Sequence, residues 1–311
     1  MSEYTPDLNR EMELPAGWYV VAEARELNPK RPHALRRFGL DWVVWMDQSG
    51  NWVMQEDRCP HRSARLSDGK VKNGCIECPF HGFQFNSQGK CNLAPELGRD
   101  APGLKVRTES LVLKEGFLWV NRGMPVGSEI PWFSDLPGSA EGSGDAHLWP
   151  QHFTRCVENQ LDHTHLPFVH ASTIGRGLSP DRKAKTEVFD SLIRVTLGYR
   201  PGENSNLEFK FPCIWRLQVQ TKMMPLIAFV PVDEGHTLLY LRTYQAFVSV
   251  PILRRLIGWV MKFTNRIILK QDFRVVVGQR PGDVRHAGHE QLLQGDEAIR
   301  GFRKWWMRGG Q

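Results

Sequence analysis

Cys59, His61, Cys78 and His81 sit in two short boxes, CPHRSARLSDG and CPFHGFQFNSQG, each offering one thiolate and one imidazole. Two Cys and two His can make a structural zinc site, but zinc fingers usually pair Cys with Cys and His with His. Here each box mixes the two types, at C-x-H and C-x-x-H spacing. That mixing suits a [2Fe–2S] cluster in which one iron takes two thiolates and the other two imidazoles. Gly69, Gly74 and Gly82 are expected to supply the tight turns that close two loop tips over one cluster.

A second concentration of chemistry lies in ENQLDHTHLPFVH, where Asn159, Asp162, His163, His165 and His170 crowd together in a chain with 11 His in all. Two imidazoles plus a carboxylate would make the facial triad of a non-haem Fe(II) oxygenase, with positions left open for O₂. The plainer alternative is a polar helix face carrying solvated imidazoles. Helical geometry does not choose the pair. His163 and His170 would share a face on an unbroken helix, but Pro167 lies between them and biases its predecessor out of the helix.

A triad needs a carboxylate, and Asp272 has the right surroundings. Ile268, Leu269, Val275 and Val276 stand at i−4, i−3, i+3 and i+4, so its face of a helix is apolar. An unpaired carboxylate buried there is expensive, and a bound cation offsets the cost. The competing reading is a salt bridge to Lys270 or Arg274. Asp283 and Glu290 are the further candidates, in a polar stretch flanked by Gly and Pro.

The elements that must hold these groups fall into two unequal halves. From about Leu14 to Arg122, short alternating segments are punctuated by turns; DWVVWM and NWVMQ flank DQSG as a hairpin, and SLVLKEGFLWVNR reads as strand–turn–strand. The expected boundaries are 14–125 for a β-rich cluster domain, 126–147 for a Gly-, Pro- and Ser-rich linker, and 148–311 for a second domain. The second domain opens with a helical stretch over FTRCVENQLDHTHLPFVH. It continues through strand-like runs and ends in a long helix from Ile252 to about Val277 and a polar helical tail. Helices gathered around an antiparallel sheet give class α+β.

At 311 residues the chain has room for two cores, and 41% hydrophobic with 24% charged residues is an ordinary globular balance. No apolar run is long enough to span a bilayer, and the polar start has no signal-peptide core, so a cytoplasmic protein is expected. A net charge of +6 suits a soluble surface, an acidic electron-transfer partner or an anionic membrane. Nucleic-acid binding has no support beyond charge. The segment VSVPILRRLIGWVMKFTNRIILK is apolar on one face and basic elsewhere; it is expected to pack on its own sheet rather than rest on a membrane. Residues from about Phe209 to Phe247, rich in Phe, Trp, Met and Ile, are expected to line an apolar pocket.

Pro60 and Arg62 around the first His, and Pro79, Gly82 and Phe83 around the second pair, make both boxes resemble those of Rieske proteins. Respiratory Rieske proteins carry an extra Cys in each box, where this chain has Ala64 and Phe80; the departure points toward oxygenases. Asp162-x-x-His165-x-x-x-x-His170, preceded by Asn159, is similar to the mononuclear-iron box of Rieske non-haem iron oxygenases. Together the boxes resemble the catalytic (α) subunit over nearly the whole chain. The resemblance implies a helix-grip-like catalytic domain. It implies a [2Fe–2S] cluster on Cys59, His61, Cys78 and His81, and Fe(II) on His165, His170 and Asp272. Asp162 would bridge a cluster His to an iron His, Asn159 would lie near the iron, and His163 would be no ligand. A late carboxylate on a long helix with a Gln a few residues on matches Asp272 and Gln279. The family also implies a homotrimer with electron transfer between neighbouring subunits, and O₂ as co-substrate. Electrons would come from a separate NAD(P)H-dependent reductase or a ferredoxin, since no G-x-G-x-x-G follows a strand here. Resemblance to shorter members implies hydroxylation or oxidative demethylation of an apolar, cyclic substrate more than cis-dihydroxylation.

Overall fold

The computed structural model describes residues 10–136, 140, 143–180, 184–200, 203–218, 223–248 and 250–310. It divides into two compact units, one built on Tyr19–Arg122 and the other on Gly123–Gln311 with Leu14–Trp18. The sequence placed Leu14 with the first domain. Leu14–Trp18 instead lies with the second unit, where the Ala16 N–H donates to Gly309 O and the Cys213 thiol to Trp18 O. Of the expected linker, residues 137–139 and 141–142 lie outside the described residues, as do residues 1–9 of the polar start.

The first unit contains β1 (Gly17–Glu23) from Tyr19 onward, β2 (His33–Arg37), β3 (Leu40–Met46), β4 (Trp52–Glu56), β5 (Lys70–Lys72), β6 (Cys75–Glu77), β7 (Gln84–Phe85), β8 (Cys91–Leu93), β9 (Thr108–Lys114) and β10 (Phe117–Arg122). They form a six-stranded sheet in the order β1-β10-β9-β4-β3-β2 and a four-stranded sheet in the order β5-β6-β7-β8. The DQSG hairpin joins β3 to β4, its Asp47 carboxylate accepting from the Ser49 and Asn51 N–H groups at 2.9 Å. Trp45, Ile76, Phe83 and Phe85 pack with Cys59 and Cys78 into one buried cluster. The two boxes therefore share a single apolar core.

The second unit holds β11 (Asp145–Trp149), β12 (Ala184–Val188), β13 (Leu192–Arg200), β14 (Glu203–Lys210), β15 (Ile214–Gln218), β16 (Met223–Asp233) and β17 (His236–Gln245). These make one antiparallel sheet in the order β11-β17-β16-β15-β14-β13-β12. Among the described residues four α-helices accompany it: α1 (Phe153–Leu161), α2 (Leu166–Val169), α3 (Pro251–Val276) and α4 (Glu297–Met307). Helices α1 and α4 pack on the sheet, while α3 meets α1, α2 and β17. The class is α+β.

A buried ion-pair network ties α1 to α4. Glu158 pairs with Arg155 at 2.9 Å and Arg303 at 2.5 Å, and both guanidiniums reach Glu290 at 2.6 Å. Burial would push Glu290 up, but Arg155 and Arg303 hold it down at about 2. A buried charge stripped of its partner costs about 3–5 kcal/mol, so this network fixes the helix that carries Asn159.

Two local features depart from the sequence expectation. The stretch FTRCVENQLDHTHLPFVH is not one helix: α1 ends where Asp162 turns extended (φ −78°, ψ 126°), and α2 starts afresh with Pro167 in its first turn. The proline does not break the helix; it begins one, where its missing N–H costs nothing. The other is Gly69, whose φ of −89° any residue could adopt. Glycine is required there because a Cβ would stand 2.0 Å from the Glu77 carbonyl oxygen.

Candidate metal centres

The two boxes fold into matching loop tips. In the first, Cys59 N–H donates to Ala64 O and Ser63 N–H to Cys59 O, both at 2.8 Å. In the second, Cys78 N–H donates to Phe83 O at 2.8 Å and Gly82 N–H to Cys78 O at 3.1 Å. Ser63 and Gly82, each four residues after its Cys, both take positive φ (59° and 72°), so the chain doubles back at the same place twice. Asp57 braces the first loop, accepting from the Ser67 N–H at 2.7 Å and the Ser67 hydroxyl at 2.6 Å.

The tips bring the four candidate ligands together. Cys59 and Cys78 are buried free thiols. Burial pushes the Cys59 thiol up to about 11, the His61 backbone opposing it and the adjacent Cys78 sulfur adding to it. The rings of His61 and His81 meet edge to face at 4.8 Å between centroids. His61 Nδ1 is buried with no hydrogen-bond partner among the described residues. Two crowded thiols and an orphaned imidazole nitrogen are costly without a cation. Their chemistry fits the mixed Cys/His ligation of a [2Fe–2S] cluster. Cys75, three residues before Cys78, is buried on β6 and is hydrogen-bonded by the Asn92 amide at 3.6 Å.

The second centre is assembled where α1, α2 and α3 meet. Asp162 caps α1, and its Oδ1 accepts from the Thr164 N–H (2.6 Å) and hydroxyl (2.7 Å), a tight turn that redirects the chain before His165. His165 then stands between two carboxylates: Nδ1 is 3.3 Å from Asp162 Oδ2 and Nε2 is 3.5 Å from Asp272 Oδ1. His170 Nε2 is 3.0 Å from the same Asp272 oxygen. The ligand atoms of His165, His170 and Asp272 all lie within 4.8 Å of one another. Asp272 Oδ1 itself has no hydrogen-bond partner among the described residues.

The electrostatics call for a positive charge. Burial would lower His165, yet Asp162 and Asp272 outweigh it and raise it to about 9. Burial would raise Asp272, and the two imidazoles hold it below the usual range. A divalent cation held by two Nε2 atoms and one carboxylate supplies what these groups otherwise borrow from a proton, so the residues fit a mononuclear iron. The salt-bridge alternative fails on placement: Lys270 and Arg274 are exposed, whereas Asp272 is 2% exposed. Val275, expected on the apolar face of Asp272, is exposed as well.

Sequence reasoning missed Gln271. Its Oε1 lies 2.8 Å from both His170 Nδ1 and the Thr173 hydroxyl, which fixes the His170 ring and leaves Nε2 toward Asp272. No periodicity marks it, because only the turn after α2 brings Thr173 back to α3. Gln279, which the family pattern singled out, is past the end of α3 and outside the cavity. Asp283 caps a short turn and pairs with Arg285, and Glu290 is in the Arg155–Arg303 network, so neither reaches the triad.

The triad opens onto a cavity of about 620 Å³. Asn159, Asp162 and His163 line its metal end; Trp215, Leu217, Met223, Pro225 and Ile227 line the sheet side. Leu197, Ser205 and Leu207 contribute too, which the sequence had not included, and Phe209 is instead packed in the core against Phe302. Asn159 Nδ2 and Trp215 Nε1 are buried donors without partners among the described residues.

Residues 17–111 match the Rieske [2Fe-2S] domain. The remaining two-thirds is matched by whole-chain comparison. Protein TIC 55, chloroplastic, of Pisum sativum is 27% identical over 94% of this chain and 58% of its own length. Aminopyrrolnitrin oxygenase PrnD of Pseudomonas fluorescens is 34% identical over 52% of this chain and 47% of its own. The crystal structure of dicamba monooxygenase bound to dicamba superposes with a TM-score of 0.79 at 20% identity, covering 96% of this chain and 97% of that one. The chain carries a Rieske [2Fe-2S] domain and shares the fold of dicamba monooxygenase. The Rieske domain match brings a [2Fe–2S] cluster. The chain spans under three-fifths of the length of the TIC 55 relatives it matches.

Proposed function

We propose that this chain is the terminal oxygenase of a multicomponent system and hydroxylates or oxidatively demethylates a largely apolar, cyclic substrate. The observation that carries the reading is the convergence of two Nε2 atoms and one unpartnered carboxylate oxygen at the end of an apolar cavity. Cys59, His61, Cys78 and His81 would hold the cluster; His165, His170 and Asp272 would hold the iron. When bound, the cluster accepts single electrons and the iron uses them to activate O₂.

The protein's own groups do the positioning. Asp162 orients His165 through its carboxylate, and in the family's homotrimer its other side would meet a cluster histidine of a neighbouring subunit. Gln271 keeps His170 in the tautomer that frees Nε2. His163 lines the cavity without joining the triad. Burial of Asp272 and His170 excludes water from the ligand set, which strengthens charge interactions there. The Trp215 indole N–H gives the apolar wall one directional donor, suited to a substrate with an oxygen or nitrogen acceptor. At the cluster tip His81 is exposed beside Phe80, a surface on which a separate reductase or ferredoxin would dock. No helix among the described residues is long and apolar enough to cross a membrane.

The test is a reconstituted assay with NADH, a surrogate reductase, labelled O₂ and a panel of apolar cyclic compounds. At least one compound should stimulate O₂ uptake and give either a hydroxylated product carrying one labelled oxygen or a demethylated product with formaldehyde. A hydroxylated product labelled only from water, or reductant consumed with no product from any compound, would overturn the reading.

A further inference from the structure

The long helix α3 is amphipathic the wrong way round for a core helix. Gly258, Leu269, Asp272 and Val276 face inward. Ile252, Leu256, Trp259, Val260, Phe263 and Ile267 face outward, with exposures of 80% at Ile252, 65% at Trp259 and 60% at Phe263. At 3.6 residues per turn these six lie within about 120° of one another, a single stripe nearly the length of the first four turns. The sequence reading had this face packed on the sheet; the inward face is narrower and the apolar stripe is left outside.

The stripe is edged by cations. Arg255, Lys262 and Arg266 follow one margin, and Lys270 and Arg274 continue beyond its end. The one acid on the helix is Asp272, which is buried in the triad. Asp145 pairs with both Lys262 (3.2 Å) and Arg266, so one carboxylate is shared between two cations and the edge stays positive. A large apolar stripe with an indole near its middle and a basic margin is the pattern of a helix lying in a lipid interface. A second copy seated on this stripe is a poorer occupant, since the basic margin of Arg255, Lys262 and Arg266 would be set against its own counterpart.

The same helix is a wall of the cavity. Asn265, Ile268, Leu269 and Asp272 line it from the opposite face, and Ile174, which also lines it, is half exposed. We propose that the first half of α3 docks on an anionic lipid bilayer, and that the cavity takes a lipid-soluble substrate from that bilayer. Docking stands on the stripe and its charges alone; the substrate class rests on the oxygenase reading.

The experiment is vesicle co-sedimentation of the full holoprotein. Phosphatidylcholine vesicles are compared with vesicles in which about a third of the lipid is phosphatidylserine. The holoprotein should sediment roughly tenfold more with the anionic vesicles and be released by high salt, as several interfacial cations require. The W259Q/F263Q variant should lose that binding with its cluster absorption and iron content unchanged. Equal partition to both vesicle types, or undiminished binding by the variant, would overturn the proposal. Self-association abolished in the variant without vesicle binding by the wild type would overturn it in favour of a second copy. Turnover is read separately, with any active compound presented in anionic vesicles. The variant should raise KM about tenfold at unchanged kcat, the signature of lost uniform binding. Unchanged KM would remove the bilayer as substrate source, and absence of turnover in both proteins would fall on the oxygenase reading while vesicle binding still reports on docking.

Discussion

Asp272→Ala is expected to abolish turnover and to cut iron from about three to about two per chain, because the facial triad loses its one anionic ligand. The two imidazoles that remain are neutral ligands, and the oxygen they face is the only one of Asp272 without a hydrogen bond among the described residues. The cluster should be untouched, since its four candidate ligands all belong to the other compact unit. Metal analysis and electron paramagnetic resonance on one sample read both outcomes. Asp283→Asn serves as the control and should keep its iron, because Asp283 is engaged by Arg285 at 2.6 Å. Full iron in the Asp272 variant, or iron loss in the control, would move the third ligand to the tail of the chain.

Asp162→Asn should leave both metal sites filled and slow electron delivery by about 10–100-fold, the range for carboxylates that orient a ligating imidazole. The substitution keeps the size of the side chain and the acceptor that Thr164 uses, so the turn after α1 should survive. What it removes is the charge 3.3 Å from His165 Nδ1. Single-turnover oxidation of the reduced cluster, with substrate and O₂ present, reports the rate. Oxidation as fast as in the unmodified protein would refute a role in electron delivery; loss of iron would make Asp162 a structural brace instead.

The strong local patterns were legible. Mixed Cys/His boxes at short spacing carry their chemistry in the sequence, because four ligands on two tight turns need little help from the rest of the chain. The apolar neighbours of Asp272 likewise announced an unusual carboxylate, although Val275 is exposed and the buried face is narrower than the pattern implied. What was not legible depends on contacts distant in sequence. Gln271 gains its meaning only when Thr173 and His170 are brought against α3, about 100 positions away. The break between α1 and α2 was masked because Pro167 looks like a terminator, yet it sits in a first turn where proline is well tolerated. The outward stripe of α3 was misread for a related reason. Periodicity gives the width of an apolar face but not its direction, and here the inward side was claimed by the triad and cavity.

The central claim is that one chain carries two different iron centres, and the most direct measurement is metal and sulfide content after anaerobic purification. About three irons and about two acid-labile sulfides per chain are expected, with the resonance of a cluster on two Cys and two His after one-electron reduction. Zinc without sulfide would make the Cys/His boxes a structural site, and about two irons with two sulfides would leave a carrier with no second iron centre. Either result would contradict the account.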